Sequence, residues 1–153
     1  MIEFDPEDLS VTIEEIDDFM YRYDTHNIFS SRKQFRKNFY LHFIRLISEG
    51  HVMTFRDIET DKLTGLCSWL FCTQESKKDI NKIKWLIPKD IDQGQILYID
   101  TCLSGRSDII PEIRKNLLSR FKSRIKEVFW FNMPKGRVFR TKLKGGNSCQ
   151  TAV

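Results

Sequence analysis

The chain has 153 residues, long enough for one domain with a substantial core. A hydrophobic fraction of 41% with 12 phenylalanines points to a globular protein, and no segment is long and apolar enough to span a bilayer. The net charge of +4 hides an asymmetry: residues 1–30 carry nine acids and one base, Arg22, whereas residues 112–144 carry eleven bases and two acids, Glu112 and Glu127. An anionic partner for the C-terminal half is one reading, and two solvated faces that neutralise each other is the other. The acidic opening residues, 1–10, do not read as a signal peptide. The four cysteines, at 67, 72, 102 and 149, form no C-x-x-C pair and have no histidine at metal spacing. They predict thiols in a reducing, cytoplasmic compartment and no metal.

In chain order, Thr12 opens a helix with the capping-box pattern Thr12-Ile13-Glu14-Glu15, and Ile13, Ile16, Phe19 (or Met20) and Tyr23 make its apolar stripe. Residues 27–30 break it. Ser31 with Gln34 resembles a second capping box; Phe35, Phe39, Phe43, Leu46 and Ile47 give that helix its core face, and Gly50 ends it. Residues 52–56 and 63–72 read as a β-hairpin across the polar turn 57–62. The second hairpin strand is apolar on both faces and therefore central. Residues 74–84 are polar and Lys-rich, a surface loop or short helix, and Trp85-Leu86-Ile87 is a short apolar patch closed by Pro88.

Residues 96–100 form a buried strand that ends on a lone acid, Asp100, a position that needs a reason because desolvating a carboxylate is costly. Asp108 can cap the next helix, with Pro111 in its first turn and Ile113, Leu117, Leu118, Phe121 and Ile125 facing inward. Strands at 128–131 and 137–143 follow. The expected fold class is α+β: a central mixed sheet with two N-terminal helices, a hairpin and a β-α-β crossover that sets strands 96–100 and 128–131 parallel. One domain is expected over 1–146, with 147–153 a flexible C-terminal tail.

This order resembles the GNAT acyltransferase fold over about residues 12–143. Within it the chain is most similar to the toxin-activating, or hemolysin-activating, lysine acyltransferases. The resemblance is carried by Cys67-Ser68-Trp69 after the hairpin, by Tyr98-Ile99-Asp100, by the basic helix from Glu112 to Phe121, and by Lys144-Gly145-Gly146. It implies a cleft between the two parallel strands for the pantetheine arm of an acyl donor. It also implies catalytic roles for Asp100, matched directly, and for His26, matched by region alone. His26 would take the proton of a lysine amine and Asp100 would fix its tautomer. The alternative for Asp100 is capping of the turn that follows. In GNAT enzymes a Gly-rich loop here holds the CoA pyrophosphate. This chain reads Leu103-Ser104-Gly105-Arg106-Ser107-Asp108, with one glycine and an acid where phosphates would sit.

The resemblance therefore implies no tightly bound cofactor and a donor substrate of acyl carrier protein, with acyl-CoA as the other source. The acidic carrier would dock on the basic 112–144 region, and the acceptor would be a protein lysine. Cys102, Ser104, Gly105, Arg106, Ser107 and Arg114 are the expected donor-binding residues. Cys102 as a thioester-forming nucleophile ranks below a packed thiol, because the sequence identifies no base beside it. His42 and His51 read as structural or surface residues. Aromatics interleave the basic residues, but no nucleic-acid motif is present and nucleic acid is not the expected partner. A homodimer is carried as an expectation. The lost phosphate loop equally suits a catalytically inactive GNAT-like structural or adaptor protein, such as a phage virion component.

Overall fold

The computed structural model describes residues 2–23, 33–82, 89–104, 109–132, 137–144 and 147–152. In chain order these hold β1 (Ile2–Asp5), α1 (Ile13–Tyr23), α2 (Lys33–Ser48), β2 (Val52–Asp57), β3 (Leu63–Cys72), α3 (Gln74–Lys82), β4 (Ile96–Ser104), α4 (Ile109–Phe121), β5 (Glu127–Asn132), β6 (Arg137–Lys144) and β7 (Asn147–Ala152). Hydrogen-bonded strand order follows the sequence, from β1 to β7. The chain divides into two compact units. The first is Met1–Ser68 with Thr101–Arg114, and the second is Trp69–Asp100 with Lys115–Val153.

In the first unit the capping box at Thr12 is formed: the Glu15 amide donates to Thr12 Oγ1 at 3.2 Å, and the Thr12 amide donates to the Glu15 carboxylate at 2.8 Å. Ile16, Phe19 and Met20 are then buried on one face of α1, with Phe43 and Leu46 buried on α2. Burying each such side chain stabilises the fold by roughly 1.5–3 kcal/mol relative to exposure. Gly50 ends α2 at φ +74, and a Cβ there would overlap the Glu7 carboxylate. The Ser31–Gln34 box, the 85–87 patch and the Asp108 cap lie outside the described residues, as do the Tyr23, Phe35 and Phe39 side chains.

β2 and β3 pair antiparallel, as the hairpin pattern predicts, with a bulge between Phe55 and Arg56. Asp57 Oδ1 accepts from the amides of Glu59 and Thr60 at 2.9 and 3.0 Å, and Asp61 takes φ 57 to complete the turn. Ile2–Asp5, without assigned structure in the sequence reading, is a strand on β2. Its four residues are too few to show a period, and Phe4 stacks on Phe55 with ring centres 4.9 Å apart. Asp8 is buried just beyond it: its carboxylate accepts from the Ser10 and Val11 amides, the Ser10 hydroxyl, Thr54 Oγ1 and Arg56, and Arg56 also donates to Glu15 at 2.5 Å.

The second unit holds the crossover. β4 and β5 run parallel, as expected, and β5, β6 and β7 form an antiparallel meander. The segment beyond Gly146, expected as a tail, is strand β7 over Asn147–Ala152. Residues 74–82 are helix α3, whose Ile80 and Lys77 both turn inward. Phe71 meets Phe121 edge-on at 4.9 Å, and the Arg124 guanidinium lies 3.6 Å from the centre of the Phe71 ring.

Candidate functional site

The strand that carries Asp100 does not end there. β4 runs on to Ser104, and Asp100 is half-buried in its middle, so the sequence expectation of a fully buried strand terminating on the acid is corrected. What ends near Asp100 is the pairing with β5. Ile96 faces Glu127, Leu97 faces Val128, Tyr98 faces Phe129 and Ile99 faces Trp130; among the described residues the β4–β5 ladder goes no further. Burial changes at the same point: Ile96, Leu97 and Tyr98 are buried, and Ile99 to Ser104 are half-buried. The two strands are thus joined from Ile96 to Ile99, and a parting between them can begin no earlier than Asp100.

The closed end of this ladder is held by charge. Lys77 on α3 donates to Glu127 at the start of β5, with both side chains buried. Cys72, near both groups, has its thiol pushed up to about 12 by burial, with Lys77 opposing and Glu127 adding to the rise. At the other end Tyr98 stacks on Phe129, ring centres 4.7 Å apart. Burial drives the Tyr98 hydroxyl far above its ordinary range, and the negative charge of Asp100 pushes it further. Tyr98 is therefore a neutral phenol at any physiological pH, and it can donate a proton to a hydrogen bond beside Asp100 without losing it.

A second cluster lies in the first unit. Cys102 on β4 is half-buried, and Cys67 on β3 is fully buried. A hydrogen bond from Cys67 holds the Cys102 thiol below its ordinary value; burial pushes it the other way, and the positive charge of Arg114 on α4 adds to the lowering. Gly65 makes this packing possible. Its Cα faces the Leu103 carbonyl and the Ile109 side chain so closely that an added Cβ would stand 3.3 Å from the carbonyl oxygen and 3.4 Å from Ile109. An alanine at 65 would require these neighbours to give by a few tenths of an ångström.

Of the other residues singled out by sequence, Ser104 is half-buried at the end of β4 and Arg114 is exposed on α4. His26, Gly105, Arg106 and Ser107 lie outside the described residues. His51 is buried. Among the described residues no group of three or more His, Cys, Asp or Glu side chains is placed to hold a metal ion, and no helix is long and apolar enough to cross a membrane. In the sequence Tyr98 and Cys67 stand only as members of the Tyr98-Ile99-Asp100 and Cys67-Ser68-Trp69 motifs, with no role of their own. Their roles depend on which side chains stand beside them, and no spacing within the chain reports that.

No protein-family model and no curated protein sequence matches the chain. Among solved structures it is similar to the loading GNATL domain of CurA from Lyngbya majuscula, with a TM-score of 0.60 and 9% sequence identity over 88% of this chain and 68% of that one. The fold is GNAT-like, α+β with a mixed sheet, as the element order predicted.

Proposed function

We propose that this chain is an acyltransferase that moves an acyl group from a thioester donor to an amine, with a protein lysine as the acceptor and an acyl carrier protein as the preferred donor. The observation that carries this reading is the end of the β4–β5 ladder. Two parallel strands of a GNAT-like sheet cease to pair at Ile99–Trp130, and the half-buried run that follows begins with an acid flanked by a neutral phenol. A carboxylate there can orient a base or accept from an incoming ammonium, and Tyr98 can donate to a developing oxyanion. The carrier protein is favoured over CoA by the single glycine and the acid in residues 103–108, and by the eleven bases of residues 112–144, which suit an acidic surface. The similar solved structure is itself described as a loading domain.

The test is acyl transfer to a lysine peptide from acyl carrier protein and from acyl-CoA, followed by mass spectrometry. Transfer is expected from the carrier protein, and Asp100→Ala should reduce it by about 10²-fold or more. Unfolding of the variant, followed by circular dichroism, should stay cooperative because the side chain is half-buried. Full activity in Asp100→Ala would remove the role given to that residue. Failure of every donor to bind would favour the second reading, a GNAT-like protein without catalysis, which the altered 103–108 loop supports.

A further inference from the structure

We infer that Trp130 is a specificity-determining residue: with Ile99 it forms the apolar stop against which the tail of the transferred acyl group rests, and so limits the length of chain accepted. This rests on the acyltransferase reading above and deepens it. A donor arm that inserts between β4 and β5 must come from the end beyond Ile99, because from Ile96 to Ile99 the strands are paired. The tip of such an arm is the acyl group, since the thioester stands at the arm's far end. That tip therefore meets the last rung of the ladder among the described residues, Ile99 with Trp130. Both residues, and Asp100 beyond them, belong to the second unit.

The two faces of the ladder differ. Side chains alternate across a strand, so Ile96, Tyr98, Glu127 and Phe129 share one face, and Leu97, Ile99, Val128 and Trp130 share the other. The first face is closed. Tyr98 and Phe129, 3% and 0% exposed, stack with ring centres 4.7 Å apart. Lys77 from α3 backs them, 5.3 Å from the centre of the Phe129 ring, while it donates to Glu127. A tail could pass there only by separating the stacked rings and invading a buried ion pair. On the second face burial lessens at the last rung: Leu97 and Val128 are buried, whereas Ile99 and Trp130 are half-buried. Accessible apolar surface on that face therefore begins at Ile99 and Trp130.

Selection by chain length needs a wall that does not yield. Trp has two side-chain torsions and a rigid ring, and Ile is stiff at its branched Cβ. Strand pairing fixes the backbone of both. A tail that is too long must displace Trp130 or leave methylenes in water, and one methylene too many or too few in an apolar pocket changes rates by about 10–200-fold. The stop thus suits a short acyl group. It also separates two tasks: Asp100, two residues on from Tyr98, continues the Tyr98 face, while the tail lies against the Trp130 face.

The experiment measures initial rates of lysine-peptide acylation by the full chain, read by mass spectrometry. The donors are acetyl, butyryl and octanoyl groups carried on acyl carrier protein and on pantetheine. Octanoyl transfer should be at least about tenfold slower than acetyl transfer. Trp130→Ala should raise the octanoyl-to-acetyl ratio about tenfold or more, with smaller rises in Trp130→Phe and Ile99→Ala. These two milder variants carry the test if circular dichroism shows that Trp130→Ala does not fold. A Trp130 that serves packing alone would slow all three acyl groups alike and leave the ratio unchanged. That result overturns the inference, and so does wild-type transfer of octanoyl as fast as acetyl. In both cases transfer persists and the acyltransferase reading stands. Transfer from no donor overturns that reading and this inference with it.

Discussion

Lys77 and Glu127 form an ion pair inside the second unit, and the Lys77 ammonium stands 5.3 Å from the centre of the Phe129 ring. Neither charge is exposed, so each depends on the other for solvation. Lys77→Met alone should destabilise the chain by about 3–5 kcal/mol, because it leaves a buried carboxylate unpaired. The double variant Lys77→Met, Glu127→Leu should recover most of that loss. Urea unfolding of the three proteins checks it, and equal losses in the single and double variants would show that packing, not charge, sets the cost.

The Asp8–Arg56–Glu15 network should make the first unit acid-sensitive. Burial pushes the Asp8 carboxyl up, but its bonds from Thr54 and Ser10 and the charge of Arg56 outweigh this and leave it below its ordinary value of 3.8. The Arg56 hydrogen bond lowers Glu15 from 4.5. Both groups ionise more readily folded than unfolded. Their contribution is complete above the ordinary values and is lost as pH falls through the lower, folded ones. Melting temperature should therefore drop below about pH 4.5. Arg56→Met should flatten that limb, chiefly through Glu15, and an unchanged limb would place the acid sensitivity elsewhere.

Cysteine reactivity should separate sharply. The Cys72 thiol, pushed up to about 12 and buried, stays protonated at pH 8. In a Cys149→Ser background, iodoacetamide should label Cys102 first, with a midpoint below that of an ordinary thiol, and leave Cys72 untouched until the chain is denatured. Peptide mapping over a pH series reads both outcomes. Labelling of Cys72 in the folded protein would contradict its assigned burial.

Gly94, at φ +103, lies against the backbone of Cys72 and Thr73, where a Cβ would overlap the Cys72 carbonyl. Gly94→Ala is both strained in φ and blocked by backbone that cannot move aside. It should cost at least about 2 kcal/mol. A thermal melt that shifts by less than about 3 °C would show that the 94–95 turn can relax.

The local rules in the sequence were readable because each is set within a few residues. The Thr12–Glu15 box, the Asp57 turn and the Gly50 stop follow from such spacing, and the parallel relation of β4 and β5 follows from the strand-helix-strand order. β1 and β7 were not readable, since each is a short edge segment that becomes a strand only when a neighbour supplies its hydrogen bonds. Lys77 sits in a polar, Lys-rich run, and nothing in that run shows that a buried glutamate 50 positions later will draw it inward. The site divides the same way. Asp100 stood out as an acid in an apolar strand, but Tyr98 and Cys67 acquire their roles only from β3 lying beside β4 and from burial.

The parallel ladder also sets where chain entropy weighs most in the second unit. Ile96 and Glu127 are 31 positions apart, whereas Asn132 meets Arg137 across five and Lys144 meets Asn147 across three. Closing the longer loop costs more chain entropy before any contact repays it, and non-local pairing is the slow event in folding. Of these pairings, that of β4 with β5 therefore carries the largest loop-closure cost. The strand that carries Asp100 is thus held on its β5 side by the pairing that costs the most chain entropy to close.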